Sequence, residues 1–379
     1  MLPLEGLRVI TLEQAVAGPF CSRQLADLGA DVIKIERPGE GDLARGYDGA
    51  LDGVSAYFAW LNRGKRSVVL DLKSPEGVTA LEALLAGADV FVHNLLPGAV
   101  ERLGFGWDTV RERFPRLIWV SISGYGLSGS YAHKKAYDML IQAEAGVVSL
   151  TGSADEPAKV GISVADIASG LYAHSSILAA LLTRGRTGQG DRIEISMFEA
   201  LTEWMMPPMY SLIGLGRAPG RAGLRHNMIV PYGAYRCADG QVMFAVQNER
   251  EWVKFCAGVL EQPDLASDER YATNQARLTH RQALEGTIET AFGSLTRGEV
   301  SDRLEQAGIA SAQVNSVQDV VDHPQLQDRQ RWTEVQTPAG SIPALLPPHN
   351  LESVSPRMGR VPALGEHTAE VLAELERAP

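Results

Sequence analysis

Two carboxylates in this chain are candidates for chemistry. Asp166 lies at the centre of the apolar stretch Gly161-Ile-Ser-Val-Ala-Asp-Ile-Ala-Ser-Gly170. After it Ile167, Leu171, His174, Ile177/Leu178 and Leu181/Leu182 recur at three- and four-residue spacing, which predicts the buried face of a helix running to about Thr183. Asp166 therefore sits where a helix begins, and a carboxylate there has two uses. As an N-cap its oxygen satisfies an orphan backbone N–H, the commoner role. As a nucleophile it is an anion favoured by the helix N-terminus, flanked by small residues that let a substrate approach closely. Asp138, in Lys134-Lys-Ala-Tyr-Asp138, is the second candidate, and it can equally pair with those lysines on a surface. Spacing alone selects no role for either residue.

Other chemistries find less support. The eight histidines show neither HxxxH nor HxH spacing, so no metal site is expected. No GxSxG occurs, and Cys21, Cys237 and Cys256 are odd in number and far apart, which argues against a hydrolase triad, a disulfide framework and a CxxC motif. With 379 residues, 45% of them hydrophobic and 21% charged, the chain has material for two domains of a soluble globular protein. Its net charge of −11 disfavours nucleic acid and anionic membranes as partners, so an anionic ligand must be held by local basic clusters. The first residues lead straight into an apolar strand without a basic leader, and no run reaches about 18 apolar residues, so a cytoplasmic location is expected.

The elements that must position the carboxylates follow in order. Leu7–Leu12 reads as a buried strand, followed by the loop Glu13–Pro19, a helix through Leu28 and a second strand at Asp31–Glu36, which makes a βαβ unit. Ser67–Leu72, a helix opening at Ser74-Pro75, and strands at Asp89–Val92 and Leu117–Ser123 continue the cycle. The expected fold is α/β, a doubly wound, Rossmann-like parallel sheet, with ligands at the carboxyl ends of its strands. The loops there carry Arg37, Arg63-Gly-Lys65-Arg66, Arg102 and Lys134-Lys135, a distribution that suggests a polyanionic ligand. Gly124-Tyr-Gly-Leu-Ser-Gly129 matches GxGxxG but lies late in the sheet, with no amphipathic helix after it, and reads better as a flexible turn. Glu36, ending the second strand, keeps an NAD-dependent oxidoreductase open as a rival function.

Beyond Asp166, Arg192–Ser196 reads as a strand and Phe198 to Ile213 as a Met-rich helical region that Pro207-Pro208 should kink. The expected domains are 1–215, completed by 330–379, a linker at 216–230, and a smaller α+β domain at 231–329. That smaller domain opens with a hairpin turning at Asp239-Gly240.

An ordered set of motifs spans the chain: Ala17-Gly-Pro19, Gly29-Ala-Asp-Val-Ile-Lys-Ile-Glu-Arg-Pro38, Asn62-Arg-Gly-Lys-Arg-Ser67, Asn94 with Pro97-Gly98, Gly124-Tyr-Gly126, Tyr137-Asp138, Asp166 with Gly170, and Thr187-Gly-Gln-Gly190. With these the chain resembles the class III coenzyme A transferases, the family of formyl-CoA transferase and carnitine CoA-transferase. The resemblance implies that Asp166 is the nucleophile. It assigns coenzyme A contacts to Val16 and Ala17, to Arg37, to Leu70, Asp71, Leu72 and Lys73, to Asn94, Leu95 and Leu96, to Arg102, and to Lys135, Ala136, Tyr137 and Asp138. It implies no tightly bound cofactor, CoA and acyl-CoA as substrates, and an interlocked homodimer. The racemase branch of the family carries a His just before the aspartate equivalent to Asp138. Tyr137 stands there in this chain, which argues for transfer. Leu224-Arg-His-Asn-Met-Ile-Val-Pro-Tyr-Gly233 resembles members acting on C4 and C5 dicarboxylates such as succinate, mesaconate, itaconate or citramalate, with Arg225 and His226 as candidates for a distal carboxylate. The expected activity is CoA transfer from an acyl-CoA such as succinyl-CoA to a small dicarboxylate. Intramolecular CoA transfer, racemisation and non-catalytic CoA binding stay open beside it.

Overall fold

Strands buried on both faces need apolar side chains on both, and the short runs Val-Ile-Thr-Leu, Val-Ile-Lys-Ile and Val-Phe-Val supply them. In the structure, a computed structural model describing residues 1–377, these runs lie in one sheet. Its strands are β1 (Arg8–Leu12), β2 (Asp31–Glu36), β3 (Arg66–Val69), β4 (Val90–His93), β5 (Ile118–Ser123) and β6 (Arg192–Ser196), all parallel, in the order β3-β2-β1-β4-β5-β6. The third strand is shorter than the expected Ser67–Leu72 and begins one residue earlier. Strand order reverses between β1 and β4, so the loops leaving these two strands diverge and open a crevice.

Helices α1 (Ala17–Asp27), α2 (Ala56–Asn62), α3 (Pro75–Ala86), α4 (Ala99–Arg102), α5 (Trp107–Arg113) and α6 (Asp138–Glu144) connect the strands. The Ser74 hydroxyl caps α3 by accepting from the N–H of Gly77. The longest helix is α7 (Val164–Thr187), 24 residues, ended by Gly188 at φ 73°. Its packed face includes the expected His174 and Ile177, with Leu178 and Leu181 partly buried, but departs from the expected one at Leu171 and Leu182. Ala165, Ala168, Ser169, Gly170, Ala173, Ile177 and Ala180 are buried, whereas Leu171 and Leu182 are 41% and 70% exposed. At Gly170 the packing on α1 is close: a Cβ there would stand 2.8 Å from the carbonyl oxygen of Ala17 and 3.3 Å from the nitrogen of Cys21, so no side chain fits at that position. At the other end the buried Arg184 pairs with Asp89 at 2.8 Å and donates to the carbonyl of Arg116, fixing the helix to the segments that lead into β4 and β5.

α8 (Met197–Trp204) and α9 (Met206–Leu215) follow. The break falls at Met205, before the prolines. Pro207 and Pro208 occupy the first turn of α9, where their missing N–H groups cost nothing. Met197 is buried as core filler, but no residue of α9 is buried.

The chain divides into two units: residues 1–147, 160–207 and 326 onward, and residues 148–159 with 208–325. The crossing thus lies at Pro207/Pro208 rather than at residue 215. The stretch 216–230, expected as a linker, belongs to the second unit, where the N–H of His226 donates to the carbonyl of Tyr232. That unit contains β7 (Tyr232–Cys237) and β8 (Gly240–Ala245), the hairpin turning at Asp239, then α10 (Glu249–Lys254), α11 (Asn274–Thr279), α12 (Arg281–Phe292), α13 (Arg297–Gln306) and β9 (Ala310–Gln313). Tyr235, Phe244, Trp252, Phe255 and Phe292 fill its own core. α14 (Val317–Val321) and α15 (Pro324–Asp328) lead back to the first unit, which closes with the hairpin β10 (Trp332–Thr337) and β11 (Gly340–Leu345) and with α16 (Thr368–Arg377). Ala378 and Pro379, the end of the expected 330–379 segment, lie outside the described residues.

Candidate active site

Asp166 does not cap α7. Ser163 holds the N-cap position without a side-chain bond, and Asp138 supplies the cap from outside the helix, its Oδ1 accepting from the N–H of Ala165 at 2.8 Å. Asp166 sits in the first turn, one helical turn before Gly170. Gly170 admits the start of α1 closely, and the N–H of Ala17 there favours the ionised form of the Asp166 carboxylate. Burial first, and then the charge of Asp138, push the Asp166 carboxyl up to about 7 against the opposing pull of the Ala17 N–H. A carboxylate so destabilised, beside a backbone donor that can accept developing negative charge, is equipped for nucleophilic attack on an acyl carbon. Asp138 makes no bond to the lysines beside it: its other oxygen accepts from Gln142 at 2.7 Å, and Lys134 pairs with Glu144 instead.

Asp166 lines a cleft of about 800 Å³ in the first unit. Val16 and Ala17 line it from the loop after β1, Asn94, Leu95, Leu96 and Arg102 from the loop after β4, and Lys135, Ala136, Tyr137 and Asp138 from the segment after β5. The remaining expected residues, Arg37, Leu70, Asp71, Leu72 and Lys73, line a smaller cleft of about 200 Å³, and Gln14 and Leu95 belong to both. The two clefts together suit a long ligand with distinct ends. Arg102, Lys135 and Lys73 have no carboxylate partner among the described residues, so their charge is available to an anion. Arg37 is held only by an exposed pair with Glu40 and by the carbonyl of Gly41.

Three of the basic residues read as anion holders are already paired with carboxylates, Arg63 and Lys65 in the interior. Arg63 makes two bonds to Asp27, Lys65 is buried on Glu13 at 2.7 Å, and Arg66 pairs with Asp31 and Glu374. Glu36, which kept a dinucleotide reading open, is likewise committed: Arg45, Ser67 and the N–H of Asp42 all donate to it, holding its carboxyl near 2. No helix opens after Gly124–Gly129 before Asp138. Among the described residues no group of His, Cys, Asp and Glu could hold a metal ion.

Sequence reasoning missed Gln14, Ala15, Tyr47, Tyr57, Met139, Ser163 and Met197, all of which line the larger cleft. Tyr47 is close enough to Asp166 that its phenol is raised by burial first and then by the charges of Asp42 and Asp166. Tyr47 lies in the irregular stretch between β2 and α2, and Tyr57 in the first turn of the seven-residue α2, where no periodicity could point to them. In the second unit Arg225 is held between Glu285 at 3.4 Å and Glu289 at 2.9 Å, over the ring of Tyr235. His226 stacks on Tyr232, its Nδ1 accepting from the N–H of Met228.

A parallel sheet with a destabilised carboxylate in a long cleft at its strand ends, edged by free cations, suits an enzyme that transfers groups to and from an anionic carrier. The profile of CoA-transferase family III matches residues 4–368, and the chain belongs to that family. It is 36% identical to the succinate–glutarate CoA-transferase of Agrobacterium fabrum over 99% of this chain and 96% of that relative. It is also 36% identical to the succinyl-CoA:mesaconate CoA-transferase of Haloarcula hispanica over 98% of this chain and 96% of that one. A CAIB/BAIF family protein from Brucella suis superposes with a TM-score of 0.87 at 35% identity, covering 99% of both chains.

Proposed function

We propose that this CoA-transferase moves CoA from succinyl-CoA to a C4 or C5 dicarboxylate through a thioester on Asp166. The observation that carries the reading is the Asp166 carboxylate, destabilised by burial and faced by the Ala17 N–H in a cleft edged by unpaired cations. The ionised carboxylate attacks the thioester carbonyl of the donor, forming a mixed anhydride and releasing CoA thiolate. The thiolate attacks the aspartyl carbonyl, forming aspartyl-CoA and expelling the donor acid. An acceptor carboxylate then attacks that carbonyl, and the thiolate completes the transfer by attacking the acyl carbon of the second anhydride, restoring Asp166. The covalent intermediate keeps the energy of the thioester from being lost to water.

Arg102 and Lys135 meet CoA phosphates in this scheme, with Arg37 and Leu70 to Lys73 holding the other end of the cofactor-sized substrate. The choice of dicarboxylates rests on relatives named for glutarate, mesaconate and citramalate, at 32–36% identity. Arg225 and His226 are the proposed holders of the distal carboxylate, His226 the freer of the two because Arg225 already spends its charge on Glu285 and Glu289. A homodimer in the cytoplasm completes the proposal. The apolar α9, none of whose residues is buried within the chain, supports a second copy as its cover. The test is a mass-spectrometric screen of succinyl-CoA against succinate, glutarate, mesaconate, itaconate and citramalate. New acyl-CoA species with release of succinate are expected, and the absence of exchange with every acid tried would overturn the reading.

A further inference from the structure

The transfer chemistry uses the N–H of Ala17, and the loop that delivers it is held atom by atom. Ala15 has φ +62°, a left-handed conformation that its Cβ disfavours. Lys34 Nζ donates to the carbonyl of Glu13 at 3.2 Å. Asn94 accepts from the N–H of Gln14 and donates to its carbonyl, both at 2.8 Å. Asp42 Oδ1 accepts from the N–H of Ala15 at 3.0 Å and from that of Ala44 at 2.9 Å, while Oδ2 accepts from Lys34 at 2.7 Å. The side chains of Lys34 and Asp42 are both fully buried. A buried ion pair is a poor way to add stability, but a charged acceptor is a good way to hold one N–H in a disfavoured conformation. Preorganised donors of this kind carry weight in catalysis because they need not reorient when charge develops.

We propose that Asp42, held by Lys34, is a positioning residue for the transfer: by fixing Ala15 in the left-handed conformation it aims the N–H of Ala17 at the carboxylate of Asp166 and at the oxyanions formed there. This inference rests on the transferase reading and adds to it a residue whose carboxylate is spent on Lys34 and on the N–H groups of Ala15 and Ala44.

The test compares wild type, Asp42→Ala, Ala15→Gly and the double variant in CoA exchange, CoA binding by calorimetry and thermal unfolding. Asp42→Ala is expected to lower kcat about 100-fold, the scale of a lost oxyanion donor. KM for acyl-CoA and affinity for CoA should stay within about threefold. Glycine adopts positive φ freely, so Ala15→Gly should restore about tenfold of the kcat lost in Asp42→Ala. Unchanged kcat in Asp42→Ala, or a loss that Ala15→Gly does not relieve at all, overturns the proposal. Should Asp42→Ala fail to fold, Ala15→Val leaves the buried pair intact and puts a β-branched side chain at that φ. Its kcat should fall roughly 30-fold, and wild-type kcat in that variant overturns the proposal equally. A wild type that exchanges no CoA sinks the transferase reading and this proposal with it, whereas an active wild type with indifferent variants sinks the proposal alone.

Discussion

Charge is held in two opposite ways in the first unit. Glu13, Lys34, Asp42, Lys65, Asp27 and Arg63 are buried and paired at 2.7–2.8 Å, fastening the loop after β1 and the helix that follows it. Arg102, Lys135 and Lys73 are exposed and carry no carboxylate partner among the described residues. The difference separates structural from ligand charge. A buried charge must be paired or it costs several kcal/mol, so its partner is already chosen when the chain folds. An exposed charge costs little to leave free and can wait for a phosphate.

The largest effect that could break this contrast lies at Asp166, a carboxylate partly withdrawn from water and left without a cation. Asp166→Asn should lower transfer roughly 10⁴-fold while CoA still binds, as assayed by exchange and calorimetry. The sign of its pH linkage is definite. Because the folded-state pKa is raised from 3.8 to about 7, the proton stabilises the fold at low pH, and that stability is lost as pH rises through about 7. The variant should therefore unfold at a higher temperature than wild type above pH 7, and the same titration should make kcat/KM for acyl-CoA fall about tenfold per pH unit below 7.

Among the paired charges, Lys65→Met strips the 2.7 Å partner from buried Glu13 and should cost about 3–5 kcal/mol in denaturant unfolding. At the free cations, Arg102→Ala and Lys135→Ala should each raise KM for acyl-CoA roughly tenfold, more at low salt, with the unfolding temperature within about 1 °C of wild type. The reverse pattern, a lost fold with KM unchanged, would erase the distinction. The smallest effect is expected at Asp138→Asn, which keeps an acceptor for the Ala165 N–H but removes the neighbouring charge. It should shift the pH midpoint of kcat/KM to lower pH, by a change in direction that rate profiles resolve.

Much of this was legible before the structure. β1, β2 and β5 lie within a residue of their expected bounds because apolar runs bounded by Gly, Pro and loop residues leave little choice. The loops of the cleft were legible because a doubly wound sheet binds ligands only where its strands end. The division of the cations was not: Arg63, Lys65 and Arg102 look alike in sequence, and only the tertiary placement of Asp27 and Glu13 decides which are taken. The face of α7 was legible at His174 and Ile177 but not at Leu171 and Leu182, because periodicity favours large leucines, while near Gly170 the packed face is chosen by how near α1 comes. Asp166 as a cap was displaced by Asp138, 27 residues from Ala165, a contact that no local pattern contains.

The central claim is that the acyl chemistry passes through Asp166 itself. Incubating the enzyme with succinyl-CoA, quenching with borohydride and mapping peptides by mass tests it most directly, since reduction of the thioester turns the aspartate into homoserine. The account predicts conversion at Asp166, dependent on acyl-CoA and absent in Asp166→Asn. Conversion at another residue, or none while CoA exchange proceeds, would contradict it.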